Sequence, residues 1–216
     1  LLALIAGLTF LSLPPELGRL NDIRQEGLLI PFLVVTTVLI GYFTSACACG
    51  EIAVEGEKGV WDLAASVFPA GTIATGKVVA SAVFAVIQCI LAAPFLAAIA
   101  GIRGEPLAQA LRAVVVTIPA ASALGALGIL WSAGLDSDFA RGLAHWVTLL
   151  VAFVGAAALP EPWDLVSPVR AVVAASRSGL TPPVWVAIAA YLLIATVAAW
   201  LVRRRIDRIR REARAS

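Results

Sequence analysis

The chain has 216 residues, 61% hydrophobic and 14% charged, with a formal net charge of +2 and a mean hydropathy of +0.95. Soluble domains carry roughly 45–50% apolar and about 25% charged residues, so a soluble enzyme, a disordered chain and a disulfide-rich secreted domain are excluded. The small net charge gives no argument for nucleic acid. The charges cluster between long apolar runs that do not alternate as barrel strands would. Helices are the other way to satisfy a backbone in lipid, so the fold class is an all-α integral membrane protein.

Taken in chain order, Leu1–Leu13 is apolar but shorter than the ~20 residues of a span. It has no basic leader, so it reads as the second half of a truncated first span rather than a signal peptide. The loop Leu13–Glu26 follows. Five further spans are expected at Leu28–Ala48, Val78–Ala100, Leu111–Ala133, Leu143–Leu159 and Val184–Val202, which makes six. The basic tail after residue 202 holds Arg203, Arg204, Arg205, Arg208, Arg210, Arg211 and Arg214 against Asp207 and Glu212. Positive charge favours the cytoplasmic side, so both termini are expected there. The tail decides this. Without it, Lys58, Lys77 and Arg141 inside would face Arg19, Arg24, Arg103, Arg112, Arg170 and Arg177 outside.

Gly50–Lys77 is the longest polar interruption between complete spans. Within it Trp61, Ala64, Ala65 and Phe68 recur at helical spacing, with Asp62 on another side, and Pro69 and Gly71 stop the pattern. This predicts a short cytoplasmic amphipathic helix between the second and third spans. Gly76 and Lys77 then turn the chain into the bilayer.

This segment resembles the first cytoplasmic loop of ABC-2 type transporter permeases. Glu55, Glu57, Lys58, Gly59, Asp62, Leu63, Pro69, Gly76 and Lys77 occupy that family's places, while Val60, Ala64 and Ala65 depart from its favoured Thr and Leu. Pro94 followed by Gly101 and Gly104, then Ser132, then Ser167-Pro168 before a short external helix, extend the resemblance over roughly residues 28–202. The resemblance implies a permease domain over residues 1–202 with a tail at 203–216, an exporter in a bacterial inner membrane. It implies a dimer with a second permease subunit and a separate ABC-type ATPase that binds and hydrolyses ATP. The chain itself would carry no catalytic, cofactor or metal residues. Glu55, Glu57, Lys58, Trp61, Asp62, Leu63, Phe68 and Pro69 would form the ATPase-coupling element. Trp61 and Phe68 would be its anchors, as aromatics dominate interface hot spots, and the acids would orient the partner.

Gly71-Thr-Ile-Ala-Thr-Gly76-Lys77-Val78 nearly spells the phosphate-binding pattern G-x-x-x-x-G-K-S/T, but Val78 replaces the metal-binding hydroxyl and no strand precedes it. Cys47, Cys49 and Cys89 read as small buried residues, with no neighbouring ligands for zinc. His145, the only histidine, reads as structural. The assigned spans contain no Asp or Glu, which disfavours an ion-coupled carrier. Small residues at Ala120, Ala121, Ser122, Ala123, Gly125, Ala126 and Gly128 predict close packing of the fourth span. Trp163, Trp185 and Trp200 fit the interfacial aromatic belt. A secondary carrier or channel, and a non-transport membrane scaffold, stand as alternatives; ATP-dependent transport with a co-purified ATPase separates the permease from both.

Overall fold

The computed structural model describes residues 29–57, 67–103 and 107–215. These residues form helices and no strands: α1 (Leu29–Glu57), α2 (Ala70–Arg103), α3 (Leu107–Gly134), α4 (Asp138–Leu150), α5 (Pro168–Ser178) and α6 (Pro182–Ala215). Between α4 and α5 the chain continues as a π turn, Val151–Gly155, and 3-10 turns at Ala156–Ala158 and Trp163–Val166. Among the described residues five helical segments are long and apolar enough to cross a membrane, and each overlaps one of the five later expected spans. The truncated span, Leu1–Leu13, lies outside the described residues.

The helix ends differ from the sequence-based expectation. Helix α1 runs on from Ala48 to Glu57, and α2 starts at Ala70 rather than near Val78. Helical geometry at Val67 does break at Phe68 and Pro69, as expected of the proline, but Gly71 already belongs to α2, and Gly76 and Lys77 lie inside α2 instead of turning the chain. The reason is local. Pro69 precedes the first turn of α2, where its missing N–H costs nothing, and its carbonyl accepts from the amides of Thr72 and Ile73 at 3.0 and 3.2 Å. At ~1.5 Å per residue, the 34 residues of α2 run ~51 Å, against ~30 Å of hydrocarbon.

Helix α3 is the hub, with 67% of its most apolar stretch buried against 22% for that of α4. Its small residues permit this: a Cβ at Gly128 would stand 2.6 Å from the Ser45 carbonyl oxygen, so α1 and α3 approach backbone to side chain. The spanning helices alternate in direction. One core cluster joins Leu29, Ile99, Ala110, Ala171 and Val184 at one end. Another joins Ile52, Ala70, Ile129, Val202 and Ile206 at the opposite, Arg203 end.

Helix α4 opens with Ser137, whose hydroxyl accepts from the Ala140 amide at 3.1 Å, followed by Asp138 in the first turn. Both features favour a helix N-terminus. Helix α5 begins on Pro168 and ends at Gly179, whose φ of 83° only glycine adopts without strain. Its buried Ala171, Val172 and Ala175 press on α3 and α1.

Candidate functional site

The structure treats the expected coupling residues unequally. Glu55 and Glu57 lie in the last turns of α1, while Lys58, Trp61, Asp62 and Leu63 lie outside the described residues. Phe68 is 52% exposed, and Pro69 is exposed beside it at the head of α2. Ile52 and Ala70 share one buried cluster, so the chain leaves α1 and enters α2 at the same end of the molecule. There the Lys77 ammonium lies 3.5 Å from the Glu51 carboxylate, an ion pair tying the two helices at the root of their connection. Gly71–Val78, the near match to a phosphate loop, is continuous helix. A phosphate loop needs consecutive amides pointing at the ligand, whereas from Ile73 onward the amides of this stretch point along the helix axis to carbonyls four residues back.

A second feature was not visible in the sequence. A cavity of about 320 Å³ lies between α3, α4 and α6. Ala120, Ala123, Leu124 and Leu127 form one wall, Val147, Thr148, Val151 and Ala152 another, and Tyr191, Ile194, Val166 and Pro168 complete the lining. Helix α4 loses regular geometry along this wall, at Val151–Gly155 and Ala156–Ala158. Such a π turn leaves the local backbone bonding irregular. Ser167 answers it by donating its hydroxyl to the Phe153 carbonyl at 3.3 Å. Phe153 itself fits because residue 41 is glycine; a Cβ there would stand 2.9 Å from the Phe153 Cζ and from the Leu124 Cδ1. The Thr148 hydroxyl donates to the Ala144 carbonyl at 2.7 Å and accepts from the Trp131 Nε1–H at 3.0 Å. The Tyr191 hydroxyl is shared between the Leu165 and Val166 carbonyls, at 3.2 and 3.1 Å. With its polar groups so occupied, the cavity offers a ligand an almost wholly apolar lining.

Tyr191→Phe should therefore lower stability by about 1 kcal/mol, because the Leu165 and Val166 carbonyls lose their shared donor. Thermal unfolding of the full chain in detergent measures this. A midpoint equal to wild type would show that the hydroxyl does not hold the turn.

The third feature is a set of buried polar pairs between helices. Thr37 meets Thr117 at 2.9 Å, Gln88 donates to Thr44 at 3.0 Å, and Ser45 meets the His145 Nδ1 at 3.0 Å. Nearer the Arg203 end the Ser132 hydroxyl accepts from the Ile52 amide at 3.0 Å. His145 is structural in that it joins α4 to α1. Among the described residues, its Nε2, the Gln88 Oε1 and the Ser81 hydroxyl are buried without a hydrogen-bond partner. Hydropathy did not mark these groups. A signal was present nonetheless: Thr37 and Thr44, and Ser81 and Gln88, stand seven apart, on one face of their helices. The cysteine expectation needs one correction. Cys49 and Cys89 are buried, but Cys47 is exposed, because it falls on a face of α1 that no helix among the described residues covers.

Compared with protein-family models, with curated proteins and with solved structures, the chain matches none.

Proposed function

We propose that the chain is the permease subunit of an ATP-driven ABC-2 type transporter, an exporter in a bacterial inner membrane. The observation that carries this reading is the order of elements after α1. The chain returns from α1 to α2 beside the exposed Phe68 and Pro69, at the same end as the arginines that extend α6. Later, Ser167-Pro168 opens a short amphipathic helix packed on α1 and α3. The ABC-2 resemblance of the sequence has both features in that order.

In this reading residues 1–13 complete a six-helix body ending at residue 202, and the tail 203–216 is cytoplasmic. The segment around Trp61–Phe68 is a short cytoplasmic helix seated in an ATPase subunit. Trp61, Leu63 and Phe68 anchor it, Glu55, Glu57, Lys58 and Asp62 set its orientation, and Pro69 fixes where it joins α2. ATP binds and is hydrolysed in that partner. The resulting motion passes through α1 and α2 and rocks the helices between two arrangements, opening a path between this chain and a second permease subunit. This chain contributes no catalytic group. An ion-coupled carrier is the rival reading, favoured by the buried His145, Gln88 and Ser81. ATP-dependent transport by the reconstituted chain with its ATPase, unaffected by a protonophore, supports the permease; transport driven by a proton or sodium gradient alone supports the carrier.

Topology gives a separate expectation. Single cysteines in a cysteine-free background should resist a membrane-impermeant thiol reagent on intact cells when placed at residues 58–66 or in the tail. They should react when placed between Pro160 and Pro183. Labelling at residues 58–66 from outside would overturn the assignment.

A further inference from the structure

We infer that the cleft between the start of α2 and the Arg203 end of α6 binds the headgroup of an anionic phospholipid. This goes beyond the transport reading and does not depend on it. The cleft encloses about 610 Å³ and is lined by Gly71, Thr72 and Thr75 of α2 and by Thr196, Trp200 and Arg203 of α6, over a floor of Ala74 and Ala199. Its position along α6 is informative. Residues up to Val202 belong to the apolar stretch, and the arginines begin at Arg203. The cleft therefore straddles the boundary between hydrocarbon and headgroups, where Trp is enriched.

The chemistry of the lining changes along the cleft in the sense a phospholipid does. At its polar end the Arg203 guanidinium lies over Gly71, where a Cβ would stand 3.6 Å from the Arg203 Nε. Among the described residues the carboxylate paired with it, Asp207, is 3.9 Å away and one turn further along the helix. A guanidinium has five donors, so this long pairing leaves most of them for a phosphate. Arg204 adds a second positive charge at the rim, its Cζ 3.6 Å above the Trp200 ring. At the other end Ala74, Ala199 and the methyl groups of the threonines suit the glycerol and upper acyl chain. A soluble anion would use only the first half of this surface, and a wholly apolar ligand only the second. Membrane-surface phosphate on a hydrocarbon stem uses both.

Native mass spectrometry of the full chain from detergent, with equimolar phosphatidylglycerol and phosphatidylcholine, tests the site. Wild type should retain phosphatidylglycerol preferentially. Arg203→Gln should reduce that preference about fivefold, the worth of one arginine at an anionic surface. Gly71→Leu, which fills the cleft without changing charge, should reduce it as much. Arg208→Gln removes the same charge away from the cleft and should leave the preference near wild type. Equal losses from Arg203→Gln and Arg208→Gln, or full preference in Gly71→Leu, would overturn the site in favour of diffuse attraction to the tail. Millimolar inorganic phosphate should not displace the lipid; displacement would identify a soluble anion as the occupant and overturn the lipid assignment.

Discussion

Gly128→Ala should lower the thermal midpoint of the full chain in detergent, and Gly128→Leu should prevent a folded protein from being recovered. The obstacle is backbone. A Cβ at residue 128 would stand 2.6 Å from the Ser45 carbonyl oxygen, 3.2 Å from the Ala48 Cβ and 3.3 Å from the Cys49 amide nitrogen. A flexible side chain can swing aside, but a helical carbonyl moves only if α1 moves. Overpacking of this kind costs about 1–3 kcal/mol, even for one added carbon where neighbours cannot yield. The displacement would reach further than the contact itself. Ser45 meets His145, and the Ile52 amide meets Ser132, so moving α1 outward strains its bonds to both α4 and α3. Gly50→Ala is the matched control on the same helix, since among the described residues no atom outside its own helix backbone lies within 4 Å of its Cβ position. There alanine should be neutral or stabilising by up to about 1 kcal/mol, from helix propensity alone. Equal midpoints for Gly128→Ala and Gly50→Ala would show that α1 and α3 do not approach as closely as described.

The second large effect belongs to the proposed coupling element. Trp61→Ala or Phe68→Ala should strip the ATPase from the purified chain and abolish ATP-driven transport, while the helical body remains inserted. Truncating a buried interface aromatic often costs ~2–4 kcal/mol, whereas an exposed charge pair is worth about 0–1 kcal/mol. Phe68 is half exposed at the head of α2, so part of its ring is open to a partner. Glu57→Ala should be milder, and its effect should fade as salt rises, because rim charges are screened over about a Debye length of ~8–10 Å. Were the segment to pack only against lipid, either aromatic could be lost without changing ATPase recovery.

The membrane class and the five later spans were legible because hydropathy integrates over about 20 residues, and single errors average out. Helix ends were not. Glu51, Glu55 and Glu57 pull a hydropathy window down, yet glutamate is a good helix former, and the helix runs on through them. What sets the root of the α1–α2 connection is contact at long sequence separation: the Ile52 amide on Ser132, and Glu51 on Lys77. The small residues of α3 correctly announced close packing, but not that Gly128 would lie against the Ser45 carbonyl. The polar pairs escaped notice for a different reason. Ser122 and Thr148 donate to the carbonyl four residues earlier, and of Thr37 and Thr117 the one that accepts across the pair can do the same, which conceals their polarity within the helix. The cavity beside α4 was also beyond reach, since an Ala-rich run such as Ala156–Ala158 gives no sign that its helix will lose regular geometry. Of the expected coupling residues, the sequence spacing remains the only guide to Lys58, Trp61, Asp62 and Leu63.

The central claim is that this chain works through a separate ATPase. Its most direct test is affinity purification of the tagged, full-length chain from membranes of its own host in mild detergent, followed by assay of ATP hydrolysis before and after vanadate. The account predicts that a nucleotide-binding protein co-purifies in stable proportion, that vanadate-sensitive hydrolysis comes with it, and that both are lost from Trp61→Ala. Recovery of the intact wild-type chain with no ATPase, or with hydrolysis that Trp61→Ala leaves unchanged, would contradict it.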